Sequence, residues 1–266
     1  MNRPLTAIGR WLARYLTQPV AGHHAFSVHD PDTLERILQP ADVLLVEGEL
    51  RISTAIKYLT QSTWSHAALY VGDAVAPPPG NAGFGMLIEA DIEQGVIAVP
   101  LSKYHSFNTR VCRPVGLSES DRREVVQSMV ESLGMQYDLK NVVDLMRYLL
   151  PLPPVPSRHR RGMLALGSGD PTRAICSSLI AQAFQRVRYP ILPGVERCPD
   201  NLRGRRMRRE IYRIRHHSLF APRDFDLSPY FQIVKPTLDS GFDYQAIQWN
   251  DATDEAAAPA PSDASR

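Results

Sequence analysis

Cysteine is nearly absent from this chain: Cys112, Cys176 and Cys198 are the only three in 266 residues. None are spaced as C-x-x-C, which excludes a disulfide framework and a paired-thiolate metal site. So sparse and odd a count fits a reducing compartment, and the expected location is cytoplasmic. No apolar run approaches the roughly 18 residues that a bilayer-spanning helix needs. The segment "LGSGD" lacks the G-x-S-x-G elbow of a serine nucleophile. The histidines show no paired ligand spacing, so no metal and no cofactor are expected. Net charge is only +2, and the bulk electrostatics therefore names no partner. No nucleic-acid motif is present, and no nucleic-acid partner is expected.

What is there suffices for one core. With 44% hydrophobic residues, the chain can bury a single good core rather than two full domains. At the start, Leu5, Ile8, Trp11, Leu12, Tyr15 and Leu16 recur at helical spacing, with Arg3, Arg10 and Arg14 among the polar positions. Arg10 and Arg14 interrupt any signal-peptide core. This helix either packs on the protein itself or lies on an anionic membrane surface. "ADVLLVEG" is a strand, "RISTAIKYLTQS" a helix facing inward through Ile52, Ala55, Ile56 and Leu59, and "SHAALYVGD" a second strand. "AVAPPPGNAGFG" is a loop, and "MLIEADIEQGVIAVPL" a hairpin turning at Gln94-Gly95. "FNTRVCRPV" is another strand, making Cys112 a core residue.

"SESDRREVVQSMVESLG" is an amphipathic helix capped by Ser118 or Ser120, with Val125, Val126, Met129, Val130 and Leu133 inward. "YDLKNVVDLMRYLL" continues helically. "PLPPVPSRHRRGMLALGSGDP" is an irregular excursion with the character of a lid or edge. Between Arg197 and Arg215, eight arginines face only Asp200 and Glu210; this run is a solvated helix face or loop, or a dock for an anionic partner. "FAPRDFDLSPYFQIVKP" gives a turn and a last strand, and the tail after it should be disordered. Strands in hairpins with helices before and after make the fold class α+β rather than a parallel doubly wound sheet. The domains expected are a lead-in over 1–39, one folded domain over 40–236 and a tail over 237–266.

Three residues carry candidate chemistry. Cys176 opens the stripe Cys176, Leu179, Ile180, Ala183, Phe184 and Val187, whose spacing is that of a buried helix face. It is either core or, at the tip of that helix, a thiol whose pKa the dipole and free N–H groups lower. His66 stands at the start of an apolar strand, flanked by Trp64 and Ser65, as a structural histidine or as the base a nucleophilic thiol needs. Glu89 lies inside "MLIEAD", where a carboxylate must find a partner; it is the candidate to orient the imidazole, with Asp91 and Glu93 as rivals. If Cys176 is core instead, the chain is a non-catalytic binding module and the basic run docks its partner.

The segments "PADVLLVEG", "ISTAIKYLTQSTWSHAALYVGD", "IEADIEQGV", "GMQYDLKN", "ICSSLIAQAF" and "DFDLSPYFQIV" together resemble the YiiX/YebB-like (lipo-like) hydrolases, a circularly permuted branch of the NlpC-type papain-like superfamily. The resemblance runs from about Pro40 to Lys235. It implies an antiparallel sheet packed against helices, with Cys176 as nucleophile, His66 as base and Glu89 as its orienting residue. It also implies that Tyr137 borders the site; Trp64 and Ser65, which flank the imidazole in sequence, are expected to contact the substrate. The substrate expected is an amide- or ester-containing small molecule, peptide or lipid, handled through a thioester by hydrolysis or acyl transfer. Peripheral membrane contact would run through residues 1–20 or the arginine-rich 197–215.

Overall fold

Val43, Leu44, Leu45 and Val46 are all buried, and a strand hides consecutive side chains only when both of its faces are covered. This segment is β1 (Val43–Val46), the middle of a sheet. In the computed structural model, residues 31–80, 85–91, 94–136, 175–197, 210–213 and 215–239 are described, with Gln18, Ser27, Gly241, Asp243 and Gln245. The expected first helix, Tyr137, Cys198, the excursion over 151–171 and most of the tail lie outside them.

Helix α1 (Pro31–Ile37) precedes β1, and α2 (Arg51–Thr60) follows it. Then come β2 (His66–Gly72), β3 (Met86–Asp91), β4 (Gly95–Pro100), a 3-10 turn (Leu101–Tyr104) and β5 (Thr109–Pro114). Helices α3 (Glu119–Glu131) and α4 (Ile175–Arg186) follow, then β6 (Gly194–Arg197), β7 (Glu210–Arg213), α5 (Pro222–Asp226), β8 (Phe231–Val234) and α6 (Pro236–Asp239). The main sheet has the order β4-β3-β2-β1-β5-β8, with every neighbour antiparallel. The fold is α+β, an antiparallel sheet packed against helices, as expected.

The period-2 geometry of the strands splits the core in two. Val43, Leu45, Ala67, Leu69 and Ile88 face one way and meet Val125 and Met129 of α3, Ile180 and Phe184 of α4, and Phe231. Leu44, Val46, Ala68, Tyr70 and Leu87 face the other way, against Leu34 of α1, Leu38, Leu101 and Tyr104. "HAALYVG" therefore does not alternate between core and solvent. Its five inner residues are buried because helices cover one face and the 3-10 turn and α1 the other. That double cover lets β2 carry an imidazole into a partly dry place.

Two local outcomes refine the sequence reading. Ser118 rather than Ser120 is the α3 cap, accepting from the Asp121 N–H at 3.1 Å. Ser118→Ala should cost about 1 kcal/mol of stability in urea denaturation, the usual worth of such a cap. The arginine-rich stretch is not one helix face. Its two ends pair as an antiparallel ribbon, with Arg197 opposite Glu210, and Arg215 is tied to the fold by donating to the Leu219 carbonyl.

Candidate active site

Helix α4 begins at Ile175, so Cys176 stands on its first turn. It packs against β2 and β3. Cys176, Leu179, Ile180, Ala183 and Phe184 are buried, the stripe that the spacing predicts. At the far end of α4, Phe184 meets Tyr189 and Phe231 with ring centroids 5.5 and 5.3 Å apart. At the near end, the Ser177 hydroxyl donates to the Phe220 carbonyl at 2.7 Å. The helix is thus fixed at both ends, and its tip is aimed at the start of β2.

There the cysteine meets His66. The Cys176 sulfur lies within electrostatic reach of the His66 ring and of the backbone N–H groups of Ala67 and Ser177. His66 Nε2 is 3.2 Å from Glu89 Oε2, which leaves Nδ1 as the ring nitrogen for the sulfur. Residues separated by 110 positions in sequence, one on a helix tip and one on a strand, are brought into one line of thiol, imidazole and carboxylate. Exposure is greatest at the imidazole. Glu89 is 2% exposed and the His66 side chain 24%, while Cys176 is 5% exposed.

The electrostatics separates Cys176 from an ordinary core thiol. Burial pushes the Cys176 thiol up, but the His66 charge and hydrogen bond, with the two backbone N–H groups, outweigh it and hold the pKa below its usual value. Burial also works against a charged His66, yet the Cys176 and Glu89 anions raise its pKa from 6.5 to about 10. Glu89, despite burial, is lowered from 4.5 to about 2 by His66 and then Lys103. Cys112 provides the contrast: equally hidden, it is pushed well above the ordinary thiol range, chiefly by burial. These directions all favour the ionised forms, a thiolate beside an imidazolium and a carboxylate, over a neutral thiol and imidazole. A depressed carboxylate favours the folded state above its unfolded value and loses that contribution as pH falls through about 2. The raised imidazole contributes fully below 6.5, a contribution lost as pH rises through about 10.

Cys176, His66 and Glu89 come together. Asp91 instead accepts from the Gln94 N–H at 2.8 Å within the hairpin turn, and Glu93 lies outside the described residues. Trp64 and Ser65 flank His66 in sequence, but both are buried, at 5% and 2% exposure. The Trp64 indole N–H donates to Asp226 at 3.3 Å, with the Arg110 guanidinium 4.9 Å over its ring. The Ser65 hydroxyl accepts from the Gly48 N–H at 2.9 Å. The polar atoms of both are thus engaged within the fold.

Sequence reasoning missed Lys103 and Tyr104, both hydrogen-bonded to Glu89. They follow β4 in a short polar turn that carries no motif; the available signal was the buried carboxylate, which required donors from somewhere nearby.

Residues 37–148 match a family model described as permuted papain-like amidase enzyme, YaeF/YiiX, C92 family. The match covers less than half of the chain, and over that span the chain is similar to this YiiX-like permuted papain-fold family. The matched residues include the strands of His66 and Glu89 and stop before the Cys176 helix. Among solved structures the chain is similar to the metalloprotein yiiX from Escherichia coli O157:H7, with 16% identity, covering 74% of this chain and 96% of that one, at a TM-score of 0.43. Comparison with curated proteins gives no match. Among the described residues of this YiiX-like chain, no group of three His, Cys, Asp or Glu is placed to hold a metal ion, and no helix is long and apolar enough to cross a membrane.

Proposed function

We propose that this YiiX-like chain is a cysteine amidase, with Cys176 as nucleophile, His66 as general base and acid, and Glu89 as the residue that orients the imidazole. The observation that carries the reading is the meeting of Cys176 with a His66 ring whose Nε2 is 3.2 Å from the buried Glu89, an arrangement that lowers the thiol pKa while that of the buried Cys112 is raised. A core cysteine has no use for such a partner.

In this mechanism the thiolate sulfur forms a bond to the substrate carbonyl carbon, and the C=O electron pair moves onto oxygen. Amide N–H groups at the start of α4, with the positive end of its dipole, favour that oxyanion. The His66 imidazolium gives its proton to the leaving nitrogen as the C–N bond breaks, leaving a thioester on Cys176. His66, now neutral, takes a proton from water; the hydroxyl attacks the thioester carbon, the C–S bond breaks and the thiolate–imidazolium pair re-forms. Glu89 stays ionised throughout and stabilises the imidazolium.

The test is trapping. The full chain is incubated with a panel of peptide amides and, in parallel, acyl esters and phospholipid vesicles, then quenched in acid for intact mass. The expected result is an acyl adduct on Cys176, labile to hydroxylamine, with the arm that gives it identifying the substrate class. Turnover without any adduct, persisting in Cys176→Ser, would overturn the reading. Glu89→Gln should slow turnover by roughly a hundredfold to ten-thousandfold without abolishing it, because the imidazole loses its orienting charge. The basic limb of the pH profile should then move down from about 10, the value Glu89 helps to sustain at His66.

A further inference from the structure

Glu89 has more donors than a simple orienting residue requires. Oε2 accepts from His66 Nε2 at 3.2 Å and also from the Tyr104 hydroxyl. Oε1 accepts from Lys103 Nζ at 2.5 Å. A carboxylate bound by the imidazole alone could pivot about that one contact. Held on both oxygens by three donors, its plane is fixed, and so is the ring bonded to it. Tyr104 is itself braced: it is 5% exposed, has Phe107 edge-on at 5.7 Å, and its ring lies 6.2 Å from that of His66. Lys103 Nζ lies 5.2 Å from the Tyr104 ring centre.

Charge gives Lys103 a second role. A thiolate, an imidazolium and a carboxylate carry one net negative charge in a largely buried place, and buried charge must be compensated. The Lys103 ammonium brings the group to neutrality, and its side chain, 40% exposed, keeps part of its surface in solvent. Both donors come from one 3-10 turn directly after β4. The β3–β4 register, with Met86 opposite Pro100 and Glu89 opposite Ile97, brings that turn alongside the carboxylate.

The geometry points to Lys103 and Tyr104 as positioning residues of the thiol site, acting through Glu89 to hold the imidazole in line and keep the site charge-neutral. This inference rests on the proposed thiol chemistry of Cys176. Removing a donor to Glu89 makes the coupled site take up its next proton at higher pH.

The test needs no substrate. The rate of Cys176 alkylation by iodoacetamide is followed against pH in the intact protein, with mass spectrometry assigning the modified cysteine. Lys103→Met keeps the apolar stem and Tyr104→Phe keeps the ring, so each removes only a donor. Each variant should move the acid-side midpoint up by about one unit, making alkylation about tenfold slower on the acid limb. Lys103→Arg, which retains the charge, should recover most of the shift. A wild-type midpoint below the ordinary thiol value, lost in His66→Ala but unmoved in both donor variants, would overturn the positioning roles and leave the thiol reading standing. A wild-type midpoint at the ordinary value would overturn both.

Discussion

Replacing Cys176 by serine should cut turnover of any amide the protein hydrolyses by about a hundred-thousandfold or more, with the fold intact. Serine is nearly isosteric and should fit the tip of α4, where Cys176 is 5% exposed. A hydroxyl, however, cannot be held as an anion by an imidazole as a thiol can. The substitution therefore removes the nucleophile and the charge that sustains His66. Cys176 is the first favourable contributor to the raised His66 pKa, so the imidazole should titrate well below about 10 in the variant. Two measurements check this together: steady-state hydrolysis, and the His66 ring titration by NMR. Loss of activity with an unmoved His66 would mean that the sulfur and the ring do not share a proton.

His66→Ala should lower the rate of Cys176 alkylation at pH 6 by about a hundredfold or more. In the intact site the imidazolium is the leading force against burial, ahead of the Ala67 and Ser177 N–H groups. Without it, burial dominates, and Cys176 should come to resemble Cys112, whose thiol burial pushes far up. Cys112 is thus the internal control within the same molecule. It should stay unreactive in wild type and variant alike, so a fall confined to Cys176 reports the loss of its partner rather than a general change in access. Equal rates for the two cysteines in the wild-type protein would contradict the assignment.

How far the sequence disclosed this arrangement depends on the range of the interaction concerned. Local patterns served well: the stripe through Cys176 gave α4, the apolar run at Val43 gave the central strand, and the pair Ser118 and Ser120 marked the start of α3 without deciding between them. Glu89 stood out because a carboxylate among Met86, Leu87, Ile88 and Ala90 has to be paired. What the sequence could not supply was the cover on both faces of β2, which buries its five inner residues. The Arg197–Glu210 pairing was hidden for the same reason, since a charge run shows no strand period. Lys103 and Tyr104 escaped notice because their role depends on where a turn lands after a hairpin. That landing is set by the β3–β4 register, which neither residue encodes by itself.

The most direct measurement of the central claim is the pH titration of thiolate ultraviolet absorbance in wild type, with the Cys176→Ala protein subtracted. The account predicts a thiolate signal already present near neutrality, with an acid-side midpoint below the ordinary thiol value of about 8.5, and absent near neutrality when His66 is alanine. A difference signal that emerges only at or above that value, unchanged by His66→Ala, would contradict it.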